Sequence, residues 1–217
     1  MSLSPARQHR QRVQAEQAAR QGGSVRHEKG YDLMLMQLGE DRRRLKGIQS
    51  TVKKAEIKLE VLPKYSAWVD GVLAAGGTRQ DDVLMYVMLW RIDAGDYAGA
   101  LTIGRHAIKH GWVMPQGFNR NVQTLLAEEM SDTAKDAVLA ELPFDPELLM
   151  QTLDVIGSLD MPDQSRARLH KSLGYVLRES QPISALNHLK CALQLDDKCG
   201  VKKDIEQLER YLRKNAS

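Results

Sequence analysis

The sequence predicts an all-α protein, built from a long basic helix followed by antiparallel helical hairpins. Three observations carry that expectation. Only 5% of the 217 residues are aromatic, while Ala, Leu, Arg, Lys, Gln and Glu, the residues that lose least on entering a helix, are abundant. Apolar positions recur at spacings of three and four, and no segment alternates as a strand would. One motif also occurs twice: "WRIDAGDYAGALTIGRHAIKHG" (Trp90–Gly111) aligns without a gap on "YVLRESQPISALNHLKCALQLD" (Tyr175–Asp196).

Residues 1–29 are polar and basic, and no regular apolar spacing is sustained there. Arg7, Arg10, Arg12, Arg20, Arg26 and Lys29 face only Glu16 and Glu28, and Gly22-Gly23-Ser24 interrupts any helix. The expectation is a basic arm, helical near Pro5–Arg20 and flexible after it. From Tyr31 to Leu62 the apolar residues Leu33, Met34, Met36, Leu38, Leu45, Ile48, Val52, Ala55 and Leu59 fall on one side of a single long helix. Its other side carries Arg42, Arg43, Arg44, Lys46, Lys53, Lys54 and Lys58. Pro63 ends that helix or starts the next, which holds Trp68, Val69, Val72 and Leu73 and stops at Gly76-Gly77.

Thr78–Gly95 opens with a polar cap and two carboxylates suited to the positive end of a helix, then turns apolar on nearly every side, which predicts burial. "AGDYAGAL" is a tight connection into a helix from Ala98 to about His110, and the pair makes a helical hairpin. After the loop "GWVMPQGFNRN", one helix is expected within Val122–Glu141 and another over Pro146–Ile156, capped by Asp145. The second copy of the motif follows, and a last amphipathic helix holds Val201, Ile205, Leu208, Tyr211 and Leu212.

In both copies a small Ala beside a larger aliphatic recurs seven residues on: Ala100-Leu101 and Ala107-Ile108, then Ala185-Leu186 and Ala192-Leu193. That arrangement lets two helices nest closely, which is the packing logic of tetratricopeptide-like hairpins. Such surfaces build and associate; they do not carry chemistry. Three regions are expected: the arm at 1–29, the long helix with the first hairpin at 30–115, and the second hairpin region at 116–217, with the hairpins serving association.

The bulk composition narrows the class. A net charge of +3 is weakly basic overall, so the placement of charge matters more than its sum. No stretch approaches the roughly 20 apolar residues of a membrane span, and the amino terminus has no apolar segment of the kind a signal peptide needs. Two cysteines, Cys191 and Cys199, fit a reducing compartment better than a disulfide framework.

Chemistry is sparse. Arg42, Arg43, Arg44, Lys46, Lys53, Lys54 and Lys58, together with Arg7, Arg10 and Arg12 of the arm, are candidates to neutralise DNA phosphates. No catalytic residue is assigned. Glu56-Ile57-Lys58 has the local form of a metal-nuclease pair, with Asp41 upstream, but on a helix Glu56 and Lys58 point about 200° apart. His106 with His110, and His188 with Cys191, each fall short of a closed metal site. No metal and no cofactor is expected, and no glycine-rich loop with a Walker lysine is present.

Three stretches carry a family resemblance: "QDDVLMYVMLWRIDAGDYAGALTIGRHAIKHGWVMP", "DMPDQSRARLHKSLGYVLRE" and "GVKKDIEQLER". From about Tyr31 onward the chain resembles the small terminase subunit of P2-like tailed bacteriophages, often labelled the terminase endonuclease subunit. Gln116–Leu149 matches that family poorly, and the family's long lysine-rich carboxyl-terminal tail has no counterpart up to Ser217, which lowers the expected DNA affinity. The resemblance implies a DNA-binding subunit that recognises the packaging or cohesive-end site of double-stranded viral DNA. It implies assembly into a homo-oligomeric ring and delivery of DNA to a large subunit holding the ATPase and the nuclease. The endonuclease label would then describe the holoenzyme, and the site of action would be the host bacterial cytoplasm. Two other readings remain open: a metal-dependent endonuclease that cuts cohesive ends itself, and a purely scaffolding helical-repeat protein.

Overall fold

The computed structural model describes residues 4–20 and 25–215, with no side chain described between residues 20 and 29. The glycine-serine interruption at 22–24 and the side chains of Arg20, Arg26 and Lys29 therefore lie outside the described residues. The described residues form eleven α-helices and one short 3-10 turn, and no strand is present among them. The all-α expectation holds. The chain divides into two compact units, residues 1–118 and 119–217.

The first unit contains α1 (Pro5–Arg20), α2 (Val25–Lys46), α3 (Thr51–Val61), a 3-10 turn (Leu62–Lys64), α4 (Ser66–Ala75), α5 (Asp82–Asp93) and α6 (Tyr97–Lys109). Helix α5 is its centre: Val83 through Met88, Trp90 and Ile92 are all buried. Asp81 starts it, its side chain accepting from the Leu84 amide at 3.0 Å and from the Trp68 indole at 2.9 Å. Around α5 pack Met34, Leu38 and Leu45 of α2 and Ile57 and Val61 of α3, while Trp68, Val69 and Val72 are buried on α4, which packs chiefly on α1. Gly76 ends α4 in the left-handed conformation (φ 63°), which glycine adopts without a side-chain clash. All three tryptophans, Trp68, Trp90 and Trp112, belong to this unit.

One expectation is corrected here. The single long helix is two, α2 and α3, separated at Gly47–Ser50. Ser50 restarts the chain as an amino-terminal cap, its hydroxyl accepting from the Lys53 amide at 3.2 Å. The apolar spacing runs through the break because it mixes faces. Leu33, Met36, Val52 and Leu59 are between 56% and 70% exposed, whereas Met34, Leu38, Ile57 and Val61 form the buried sides. Over Pro5–Arg20 the basic arm is the expected helix, and it is laid against α4. The approach is backbone-close: a Cβ on Gly71 would stand 2.5 Å from the Arg12 carbonyl oxygen and 2.6 Å from the Ala15 Cβ. Small residues on both helices permit that docking, and Ala15 is fully buried by it.

The second unit contains α7 (Val122–Leu139), α8 (Pro146–Ile156), α9 (Asp163–Val176), α10 (Pro182–Leu195) and α11 (Lys202–Asn215). Asn121 and Asp145 cap α7 and α8 through the amides of Thr124 and Glu147. Helix α9 packs against α7, α8 and α10, and Leu169 and Leu173 on it are fully buried. Gly174 brings α9 and α10 together: a Cβ there would meet Leu189 at 2.5 Å. Helix α11 packs on α10 through Ile205 and Leu208, and Arg178 reaches Asp204 at 3.2 Å and Gln207 at 2.9 Å.

The duplicated motif folds twice into the same local form, α5–α6 and α9–α10. Ala100 and Ala107 in the first copy, and Ala185 and Ala192 in the second, are fully buried. The copies diverge at their first residue. Trp90 is buried, whereas Tyr175 is only partly covered and sends its hydroxyl to Asp204 at 3.3 Å.

Candidate nucleic-acid interface

The last turns of α2 place four cations in five residues, Arg42, Arg43, Arg44 and Lys46, with Leu45 turned into the core between them. Cations at a helix carboxyl end are favoured by the partial negative charge of its unpaired carbonyls. Because the chain breaks at Gly47 and restarts at Ser50, α3 folds back and brings Lys54 and Lys58 toward the same place. Arg42, Arg43, Lys46, Lys54 and Lys58 line one notch of about 500 Å³, and Leu45, Tyr86 and Trp90 supply its apolar lining.

Each cation is held differently. The Arg42 guanidinium carbon lies 4.1 Å from the Tyr86 ring centroid, and Phe118 packs edge-on against that ring at 6.1 Å. Arg43 Nε donates to the Gly39 carbonyl at 3.2 Å. Arg44 turns away to a two-point pair with Glu60 at 2.9 and 2.7 Å, which holds the Glu60 carboxyl below its ordinary range. Lys58 is paired with Asp93 at the end of α5. Among the described residues no carboxylate lies within ion-pair distance of Arg42, Arg43, Lys46 or Lys54.

The remaining sequence candidates are not gathered there. Lys53 is exposed on α3 outside the notch lining. Arg7, Arg10 and Arg12 are exposed on α1, and Arg12 pairs with Glu16 at 3.6 Å. Conversely, the sequence pattern places Trp90 in a buried helix and assigns no role to Tyr86, Glu60 or Asp93. Glu60 and Asp93 meet their cations across 16 and 35 residues, and no local pattern marks such pairs.

Asp41 and the histidine candidates are otherwise engaged. Asp41 is buried, accepting from the Tyr65 hydroxyl at 2.7 Å, Lys64 at 3.1 Å and Gln37 at 3.1 Å. Glu56 is exposed on α3. His106 Nε2 is 2.7 Å from the Gly77 carbonyl oxygen, and burial holds this imidazole below its usual pKa. His188 faces His170, Nδ1 to Nδ1, at 3.0 Å, while Cys191 is an exposed free thiol. Among the described residues no three His, Cys, Asp or Glu side chains converge as a metal site would require. No described helix is long and apolar enough to cross a membrane.

The model of the phage small terminase subunit family matches residues 35–164, a span that contains the whole notch. The chain belongs to that family. It is similar over most of its length to the terminase, endonuclease subunit of Escherichia phage P2: 46% identity over 212 residues, 97% of this chain and 86% of the relative. It is also similar to the probable terminase, endonuclease subunit of Haemophilus phage HP1 (strain HP1c1), at 23% identity over 208 residues, 89% of this chain and 74% of the relative. No solved structure matches. As a phage small terminase subunit, the chain places its family-matched span across both structural units, from α2 into the start of α9.

Proposed function

We propose that this small terminase subunit binds double-stranded viral DNA at the packaging or cohesive-end site, assembles as a homo-oligomeric ring, and hands DNA to a large subunit that carries the ATPase and nuclease. The observation that carries the DNA reading is the notch. Five cations from two helices stand around one depression, and four of them have no carboxylate partner among the described residues. Each lysine or arginine that takes a phosphate releases condensed counterions, so affinity falls steeply with salt and is largely indifferent to sequence. Arg7, Arg10 and Lys53 add positive potential away from the notch and steer the polyanion on approach, whereas Arg12 and Arg44 are offset by Glu16 and Glu60. The outer faces of the hairpins and the exposed apolar residues Leu33 and Met36 of α2 and Val52 and Leu59 of α3 would supply contacts between copies and with the large subunit.

Fluorescence anisotropy with a cohesive-end duplex, read from 50 to 300 mM salt, tests this reading. The expected result is a linear log–log decline that becomes shallower when Arg42, Arg43, Lys46 and Lys54 are changed to Gln. Binding that ignores salt, or survives that fourfold change, places the DNA surface elsewhere. Native mass with and without duplex tests the ring.

The names of the two relatives, each a terminase endonuclease subunit, favour a second reading, in which the chain itself cuts DNA. Purified subunit that cleaves cohesive-end DNA with Mg²⁺, and loses that activity on Glu56→Gln, would establish it in place of the first.

A further inference from the structure

Lys58 differs from the other cations of the notch. Its side chain is only 15% exposed, and its ammonium is clasped by the Asp93 carboxylate, which is 47% exposed. The pair joins α3 to the last residue of α5. Asp93 sits where a carboxylate is intrinsically disfavoured, at the negative end of a helix. Its nearest structural reward is Lys58.

The comparison with Arg44 sharpens the point. Arg44 and Glu60 also form an ion pair, but both side chains are about half exposed, and Arg44 does not line the notch. The Lys58–Asp93 pair therefore holds a cation that belongs to the notch, with a counter-charge supplied by the protein itself. A phosphate that approaches Lys58 must displace Asp93, and the displaced carboxylate then stands beside a polyanion. We infer that Asp93 sets the strength of the notch: it withholds Lys58 from phosphate and limits each engaged subunit to the contacts made by Arg42, Arg43, Lys46 and Lys54. This inference rests on the reading of the notch as a nucleic-acid surface.

Withholding one cation has a use in a protein that must discriminate. Phosphate contacts are the same on every sequence, so each one strengthens specific and non-specific binding alike. Capping their number keeps non-specific affinity low. A subunit repeated in an assembly multiplies any such restraint.

The experiment compares wild type, Asp93→Asn, Lys58→Met and the double variant, each binding the same duplex between 50 and 200 mM salt. Circular dichroism confirms that all four fold. Asp93→Asn is expected to steepen the log–log salt slope by about 0.9 per engaged subunit, and to tighten binding about threefold at the low-salt end relative to the high-salt end. The gain should vanish in the Lys58→Met background, because Asp93 acts through Lys58. A gain that persists there shows simple repulsion of DNA by Asp93 and overturns the inference, as does an Asp93→Asn slope equal to that of wild type. Either result leaves the DNA reading standing. Wild type that binds no duplex at 50 mM salt removes both.

Discussion

Arg42 and Tyr86 are stacked, the guanidinium carbon 4.1 Å from the ring centroid, so a cation on α2 is aimed by an aromatic residue on the core helix α5. Tyr86 is 8% exposed and braced by Phe118. A stacked guanidinium keeps its charge and its outward donors while losing conformational freedom. Tyr86→Leu should therefore weaken duplex binding although it removes no charge. Arg42→Ala should weaken it further, by about one contact's share of the salt slope. The double variant should match Arg42→Ala alone. Anisotropy titrations at two salt concentrations check all three.

Docking of α1 depends on Gly71. Gly71→Ala places a methyl group 2.5 Å from the Arg12 carbonyl oxygen, and backbone cannot swing aside as a side-chain tip can. Overpacking of this kind costs about 1–3 kcal/mol, offset in part by the better helix propensity of alanine. The expected outcome is a lower melting temperature and faster tryptic cleavage at Arg7, Arg10 and Arg12. Unchanged cleavage would mean that α1 is not held by this contact.

Asp81 predicts a pH dependence of one sign. Its carboxyl is buried against Trp68 and the start of α5, and burial raises its pKa to about 6, the hydrogen bonds from Trp68, Leu84 and Val83 opposing that rise. With the folded pKa above the unfolded one, the folded state binds the proton more tightly. Stability from this group is complete below about pH 4 and is lost as pH rises through about 6. The loss is about 3 kcal/mol. Urea unfolding of wild type and Asp81→Asn at pH 4, 5, 6 and 7 should show the variant lacking that component.

The His170–His188 pair predicts the opposite sign. One Nδ1 must carry a proton for the other to accept it, so the contact requires at least one neutral ring. Burial, then the charges of His188 and Arg166, lower the His170 pKa to about 4, and burial lowers that of His188. Stability from these groups is present above about pH 6.5 and lost as pH falls through about 4. After allowance for solvent screening the loss is about 1–2 kcal/mol. Changing both residues to Asn, which keeps a hydrogen-bonding group near each Nδ1, should flatten that response in urea titrations followed by helical circular dichroism.

How far the sequence could be read depends on distance along the chain. The caps at Asp81 and Asp145, the stop at Gly76 and the paired hairpins are governed by neighbours within a few residues, and local spacing exposes them. The break at Gly47–Ser50 was also locally marked, by a glycine followed by a serine cap, but the apolar spacing on either side hid it. Leu33, Met36, Val52 and Leu59 are apolar without being buried, so they extend the periodicity past its structural end. The docking of α1 was out of reach because its signal is the smallness of Gly71, Ala15 and Ala19, which any helix can carry. The notch was half legible. The cations on α2 and α3 stand close in sequence, whereas Tyr86, Trp90 and Asp93 reach them only through the folding back of α3 against α5.

The placement of Trp68, Trp90 and Trp112 in the first unit gives the molecule a built-in optical asymmetry. Indole emission follows the melting of residues 1–118 and is blind to the other half. Far-ultraviolet ellipticity weighs both. Should the two signals part company during denaturation, the gap between them measures how independently the halves come undone, with no label attached to either.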